Sequence, residues 1–188
     1  MQEAAVLSPR GLVARRALAV VLGAAAVAAA AQIAVPLPGT PVPMTLQPLA
    51  VLLVGGLLGP RLGATSMVLY LALGAAGLPV FTPHGLPGFA RLVGPTGGYL
   101  LAYPVAASAV GRLAGGAEAR QWGRLTLAVG AGLLLIHLGG LAQLLVLTHN
   151  LRDALRLGTL PFVVGDLVKL AIAVLLLRRT VSPLRARL

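Results

Sequence analysis

The sequence predicts an all-α integral membrane protein, folded as one compact bundle of six transmembrane helices. Of its 188 residues, 58% are hydrophobic and only 10% are charged, whereas a soluble domain carries about 25% charged residues. At about 20 residues for each span, this length allows roughly six helices with short loops. Because no stretch is both long and polar, residues 1–188 are expected to form a single membrane domain.

Six apolar runs, separated by turns rich in proline, glycine and arginine, mark the expected helices. The first run follows three arginines, as in a signal peptide, but more spans follow it, and a retained helix is the simpler interpretation. The second run is short for a ~30 Å hydrocarbon core and begins with polar residues, which favours a cavity-lining helix over a lipid-facing one. The expected helices cover approximately residues 17–34, 44–58, 62–76, 97–113, 125–147 and 161–177.

The connections between these helices differ in length and character. Residues 36–43 contain four prolines and predict a stiff loop. Residues 77–96 form a longer connection with four further prolines, and five apolar side chains in residues 86–93 argue against disorder. Since structureless loops of this length are uncommon unless functional, we expect a lid or a re-entrant segment there. Residues 114–124 are expected to form a polar turn, and residues 148–160 a short external segment.

The distribution of arginine predicts the orientation of the bundle. With six spans, eleven arginines fall on the side shared by the two termini and three on the other side. By the positive-inside rule both termini are cytoplasmic, which places the loop of residues 77–96 outside. Topology thus explains the net charge of +11, and no nucleic-acid partner is expected. The arginines of the cytoplasmic side are Arg10, Arg15, Arg16, Arg61, Arg112, Arg120, Arg124, Arg178, Arg179, Arg185 and Arg187, and those of the external side are Arg91, Arg152 and Arg156.

One pair of charged residues lies inside the last apolar run. Lys169 is the only lysine of the chain, and Asp166 is one of four acidic residues. Three residues apart on a helix, they share a face. An ionisable group within a membrane span is costly and is retained where it faces a cavity, a partner or a ligand. The pair therefore predicts a polar-ligand site, and mutual neutralisation is the structural alternative.

Several catalytic devices are missing from the sequence. A phosphate-binding loop requires a Gly-Lys-Ser/Thr sequence, and neither neighbour of Lys169 fits it, so another subunit would have to hydrolyse any ATP. The chain has no cysteine, and its three histidines are too scattered for metal spacing. We expect no cofactor, no metal and no enzyme activity, the competing hypothesis being an intramembrane enzyme built on Asp166, Lys169 and Ser108.

Five segments of the chain form a recognisable set: PVPMTLQPLAVLL at residues 41–53, LGPRLG at 58–63, LYLALGAAGLPVF at 69–81, GPTGGYL at 94–100 and LPFVVGDLVK at 160–169. Together they resemble the BioY family, the biotin-specific substrate-binding (S) components of energy-coupling factor (ECF) transporters. The similarity covers approximately residues 17–179. One departure is Pro48, where the family usually has threonine, and it raises the question of a kink at the start of the second helix.

The resemblance implies the six-helix S-component fold and high-affinity capture of biotin from outside a prokaryotic cell, as a multi-pass protein of the plasma membrane. It implies as partners biotin, the lipid bilayer, a transmembrane EcfT subunit and two ECF ATPase subunits. A solitary biotin transporter, working without the ATPase module, is the alternative. In such S components an Ala-x-x-x-Ala pattern on the first helix meets EcfT, and three overlapping registers fit it here: Ala24/Ala28, Ala25/Ala29 and Ala26/Ala30.

Biotin suggests a role for each candidate residue. Asp166 can accept hydrogen bonds from the ureido N–H groups, Lys169 can donate to the ureido oxygen, and Arg91 can pair with the carboxylate. Tyr99 and Phe81 are candidates for packing on the ring and the chain. Gln47 is a candidate for one more polar contact. In the other assignment that we considered, Lys169 holds the carboxylate and Arg91 acts as a gate.

Four other polar or aromatic side chains within the spans are expected to be structural. His137 and Gln143 are expected to form hydrogen bonds between helices rather than to bind the ligand. Tyr70 and Tyr103 are expected to pack at interfaces.

Overall fold

The computed structural model describes residues 9–115 and 121–185, and within them the chain is a helical bundle with one small β-hairpin. Residues 116–120, within the predicted polar turn, lie outside the described residues, as do the arginines at positions 120 and 187. The elements are α1 (Pro9–Gln32), β1 (Ala34–Val35), β2 (Met44–Thr45), α2 (Gln47–Ala75), α3 (Ala90–Val93), α4 (Gly97–Leu113), α5 (Trp122–Thr148), α6 (Leu151–Gly158), a 3₁₀ turn (Leu160–Phe162) and α7 (Val163–Arg185).

Helix α2 is a hairpin of two arms, which correspond to the second and third predicted helices. At Gly59 the backbone takes φ 82° and ψ 179°, a conformation open to glycine alone, and Pro60 follows it. The chain folds back there, so that Gly63 lies against Gly55, whose backbone contacts Ala107 of α4. With the two arms counted separately, the described residues contain the six predicted helices. Pro48 causes no kink, because it lies in the first turn of α2, where its missing N–H has no partner to lose.

Four of these helices are long and apolar enough to cross a membrane, and α4 is a fifth apolar helix of 17 residues. Large apolar side chains along α1 and α5, such as Leu18, Leu22 and Leu127, point away from the bundle, as lipid-facing side chains do. The chain is therefore a multi-pass membrane protein. The four candidate spans are Pro9–Gln32, Gln47–Ala75, Trp122–Thr148 and Leu151–Thr180. The last of them comprises α6, the 3₁₀ turn and most of α7.

The structure departs from the sequence prediction mainly in the connections. The proline-rich loop is closed by the antiparallel pairing of β1 with β2, which two residues on each side are too short to reveal. The predicted external segment contains the helix α6, because Asn150 caps its start by accepting hydrogen bonds from the backbone N–H groups of Arg152 and Asp153. The helix is short and amphipathic, and because one of its faces is charged, the sequence of the segment was read as polar and not as helical. Helix α1 also begins earlier than predicted, and α7 ends later.

The ends of the bundle differ in chemistry. At one end, the turn at Pro60 and Arg61 lies beside Arg112, Arg124 donates a hydrogen bond to the carbonyl of Leu113 at 2.7 Å, and Arg178 lies over the Trp122 ring. At the other end, the β-hairpin loop, the loop of residues 77–96, α6 and the start of α7 come together. The arginine-rich end thus lies opposite the long loops.

Candidate functional site

A cavity opens among the loops, between α2, α4, α5 and α7. It is narrow, with a volume of about 60 Å³, which leaves room for only a few water molecules. Ionisable side chains and apolar side chains such as Leu133 and Ile136 line it together. All six residues proposed from the sequence as ligand contacts line this one cavity: Gln47, Phe81, Arg91, Tyr99, Asp166 and Lys169.

The charged pair of α7 faces this cavity. Lys169 Nζ donates to Asp166 Oδ1 at 2.9 Å, and both residues are buried, with exposed fractions of 5% and 8%. Asp166 lies in the first turn of α7 and Lys169 in the next, on a helix that packs against α2 and α5. The two charges therefore neutralise each other while remaining part of the cavity wall, so that mutual pairing and exposure to a ligand are not exclusive alternatives.

Asp166 has a second partner on another helix. His137 Nε2 of α5 lies 2.5 Å from Asp166 Oδ2, and the imidazole ring lies edge-on to Tyr99 and tilted against Phe162. Gln143 of α5 donates to the carbonyl oxygens of residues 93 and 94. The prediction that both polar residues of α5 form hydrogen bonds between elements is confirmed, and His137 additionally lines the cavity.

Arg91 is a buried cation without an acidic partner. It lies in α3, is only 6% exposed, and donates from Nη2 to the carbonyl oxygen of Thr82 at 2.8 Å. Its Nε has no hydrogen-bond partner among the described residues, and within them Arg91 forms no salt bridge with an acidic side chain. Burial lowers the pKa of the guanidinium, with a smaller opposing effect from Tyr70, yet arginine stays charged.

A second cavity lies outside the first and shares Arg91 with it. The outer cavity is formed by the proline-rich loop and the loop of residues 77–96, with side chains such as Leu37, His84 and Leu86. It is larger, with a volume of about 290 Å³. Three residues line both cavities: Pro43, Arg91 and Thr96. Arg91 therefore stands at the boundary between the inner cavity and the loop-covered exterior.

Tyr99 is fixed in the wall by its hydroxyl and its ring. The hydroxyl donates to the carbonyl oxygen of Gly158 at 2.5 Å, which ties α4 to the end of α6. The ring packs directly on Gly140 of α5, where any side chain would occupy the same space. Glycine is required there because the ring and the α5 backbone are in contact, and Tyr99 lines the cavity.

The amide of Gln47 is already engaged within the protein. Its Nε2 lies 2.5 Å from the Tyr70 hydroxyl, and its Oε1 accepts from the Thr45 hydroxyl at 3.3 Å. Tyr70 in turn packs edge-on against Phe81, with ring centroids 5.4 Å apart, and stacks on Tyr103 at 6.5 Å. Gln47 and Phe81 therefore belong to one buried network, and Tyr70 packs as predicted.

The residues that line the cavity without having been sequence candidates include three with a ring: His137, Tyr103 and Phe162. For His137 the signal was present, because it is an ionisable residue at membrane depth. Tyr103 and Phe162 carry no such signal, since apolar rings are ordinary in a membrane helix. Ser108 instead lines a groove at the arginine-rich end, with Pro60 and Arg112, so the structure does not bring Ser108 and Lys169 together. No group of three histidine, cysteine or acidic side chains suited to a metal ion occurs among residues 9–115 and 121–185.

Comparisons with known proteins agree with one another. The family model of the BioY family matches residues 1–186. The "Probable biotin transporter BioY" of Pyrococcus horikoshii is 42% identical over 139 residues, which are 74% of this chain and 80% of the relative. The "Biotin transporter BioY" of Thermotoga maritima is 42% identical over 144 residues, 76% of this chain and 83% of the relative. A crystal structure of the S component for biotin from an ECF-type ABC transporter matches with a TM-score of 0.82 at 27% identity, covering 93% of this chain and 94% of that one.

Proposed function

The chain belongs to the BioY family, and on this premise we propose that it captures biotin from outside the cell as the S component of an ECF transporter. It is a transport subunit without catalysis of its own. The observation that carries this proposal is the charge of the cavity, in which a buried arginine without an acidic partner accompanies a neutralised Asp–Lys pair. That charge distribution suits a small ligand with one carboxylate and a neutral polar head.

The charges lining the inner cavity add up to one excess cation. Asp166 and Lys169 form a salt bridge and contribute no net charge together, and Arg91 adds one positive charge. A buried cation that lacks a partner is destabilising, because its desolvation is not repaid by an attraction. Biotin carries one carboxylate at neutral pH, so its binding supplies the partner for Arg91 and neutralises the site.

The head group of biotin matches the inner polar pair. A ureido group has two N–H donors and one carbonyl acceptor, and Asp166 and Lys169 offer an acceptor and a donor beside each other. We favour the pose with the ureido group at this pair and the carboxylate at Arg91. A carboxylate at the boundary with the outer cavity loses less hydration than one placed at the inner end.

Capture requires the inner cavity to widen. Its present volume holds a few water molecules, whereas small-molecule sites occupy about 300–1,000 Å³. The wall that we propose to move is the segment around Arg91, to which Gln143 of α5 donates hydrogen bonds at the carbonyl oxygens of residues 93 and 94. We propose that this segment shifts outwards to admit biotin and returns when the carboxylate pairs with Arg91.

Energy for uptake would come from partner subunits. The chain lacks a phosphate-binding loop, and the family resemblance implies EcfT and two ATPases. Within α1, Ala24 is buried against the rest of the bundle, with 3% exposed, and so is not available for docking. Ala25 and Ala29 are both exposed, one turn apart. We therefore propose the Ala25/Ala29 register as the contact with EcfT, with Ala26, Ala28 and Ala30 at its edges.

We propose that the cavity end faces outwards and that both termini are cytoplasmic, since the opposite end carries most arginines. The native chain has no cysteine, so single cysteines can test this. In intact cells, His84→Cys on the exposed outer loop should react with an impermeant maleimide, and Arg61→Cys should react only after permeabilisation. The reverse labelling pattern would refute the orientation.

The decisive test of function is the titration of detergent-purified protein with radiolabelled biotin. We expect submicromolar binding by the wild type. Asp166→Asn and Lys169→Ala should each weaken binding by about 1.5–3 kcal/mol, the value of a charged hydrogen bond, while Asp153→Asn on the exposed face of α6 serves as the control. Absence of binding by the wild type would refute the function. Unchanged affinity in both cavity variants would refute the site.

A further inference from the structure

We propose that His137 is a positioning residue of the ligand site: it holds Asp166 through Oδ2 and so allows the ammonium of Lys169 to turn towards the ligand. This inference rests on the proposed function, because it assigns a role within the biotin site. It concerns a side chain on α5, a different helix from the one that carries the charged pair.

The geometry divides the carboxylate of Asp166 between two donors. Oδ1 accepts from Lys169 Nζ at 2.9 Å, and Oδ2 contacts His137 Nε2 at 2.5 Å. With the imidazole in place, the carboxylate retains a charge-assisted hydrogen bond even when Lys169 moves. Without it, the lysine would be the only donor described for this buried anion, and moving the ammonium towards a ligand would leave the anion bare.

The surroundings of the imidazole determine which nitrogen carries the proton. Nδ1 of His137 is buried and has no hydrogen-bond partner within the described part of the chain. A proton on Nδ1 would be an unpaired buried donor, which is destabilising, whereas a proton on Nε2 is donated to Asp166. The structure thus favours the Nε2–H tautomer, in which the imidazole is a donor towards the carboxylate.

Aromatic neighbours hold the ring in this orientation. Tyr99 of α4 lies edge-on to it, with ring centroids 6.1 Å apart, and the ring centroid of Phe162, in the 3₁₀ turn before α7, lies 6.4 Å away. A ring held in this way keeps the same oxygen of Asp166 engaged before and after a ligand enters. The hydrogen bond between His137 and Asp166 is thus preorganised, while the ammonium of Lys169 can still change its position.

Two amide substitutions separate positioning from simple tethering. In His137→Gln the side-chain nitrogen reaches about as far as Nε2 and can donate to Asp166, whereas in His137→Asn it reaches only about as far as Nδ1 and cannot. Both variants place one neutral amide in the same surroundings, so their costs of burial are matched.

We expect His137→Gln to bind biotin within about threefold of the wild type and His137→Asn to bind it at least tenfold more weakly, at equal apparent melting temperatures of the ligand-free proteins. In the Asp166→Asn background, the two His137 variants should not differ, because the group that they act upon has lost its charge. Equal affinities of the Gln and Asn variants in the native background would overturn the proposal. So would a full tenfold difference that persists with Asp166→Asn. A wild type that binds no biotin would refute the proposed function. The comparison between the His137 variants tests only the role of His137.

Discussion

Replacing Arg91 by glutamine tests the assignment of the carboxylate. The variant removes the buried cation that has no acidic partner among the described residues, and its neutral amide ends about where Nε lies, short of the Nη2 that donates to the carbonyl oxygen of Thr82. A hydrogen bond to a charged group contributes about 1.5–3 kcal/mol, so we expect biotin affinity to fall by about 10–150-fold. The measurement is equilibrium binding of radiolabelled biotin to protein in detergent.

The ligand supplies the matched control. Biotin amide lacks the negative charge, so it should bind the wild type more weakly than biotin does, and the change from Arg91 to glutamine should cost it less than about threefold. Arg152→Gln, at an exposed position of α6 on the same end of the bundle, should leave both affinities unchanged. If Arg91→Gln weakened biotin and biotin amide equally, Arg91 would act on the loop and not on the carboxylate. A normal biotin affinity in the variant would transfer the carboxylate to Lys169.

Three further outcomes follow from the same geometry. Gly140→Ala inserts a methyl group where the Tyr99 ring lies, so it should destabilise the protein by about 1–3 kcal/mol and weaken biotin binding. The control Gly130→Ala, where the nearest neighbouring atom is 3.9 Å from the added methyl group, should change neither stability nor binding. Equal thermal denaturation of the two variants would contradict the contact. Ala29→Trp should abolish energised uptake in cells that contain the partner subunits and leave binding in detergent intact, with the lipid-facing Leu127→Trp as control; uptake at the wild-type rate would reject this docking surface. Desthiobiotin should compete with biotin at a similar concentration, since the proposed contacts use the ureido group and the carboxylate but not sulfur, and a hundredfold weaker competition would count against the pose.

The helices were predictable because hydropathy records them directly. In lipid, every backbone polar group must be satisfied within the chain, so apolar runs of sufficient length become helices whatever their neighbours are. The boundaries of α4 agree with the prediction at both ends, and the turn at Gly59 is where the glycine and proline indicated it. The β-hairpin and α6 were missed because short pairing and surface amphipathicity leave weak signals in a single sequence.

Within the candidate site, the charged residues gave the strongest signal in the sequence. Asp166 and Lys169 could be singled out because charge within a membrane span is costly, and that cost depends on sequence position alone. Arg91 was suggested by its place in a long loop and by the family resemblance. No such reasoning indicates that Gln47 is held by Tyr70, or which alanine of α1 is buried.

By itself, then, the sequence determined the membrane-embedded helical class, the six helices and the presence of a charged pair at membrane depth. The tertiary structure alone decided that the two oxygens of Asp166 are divided between Lys169 and His137, that Arg91 is buried without a counter-charge, and that both features meet in one cavity. The physical reason is that hydropathy acts along the chain, residue by residue, whereas hydrogen bonding and charge compensation depend on which helices lie side by side.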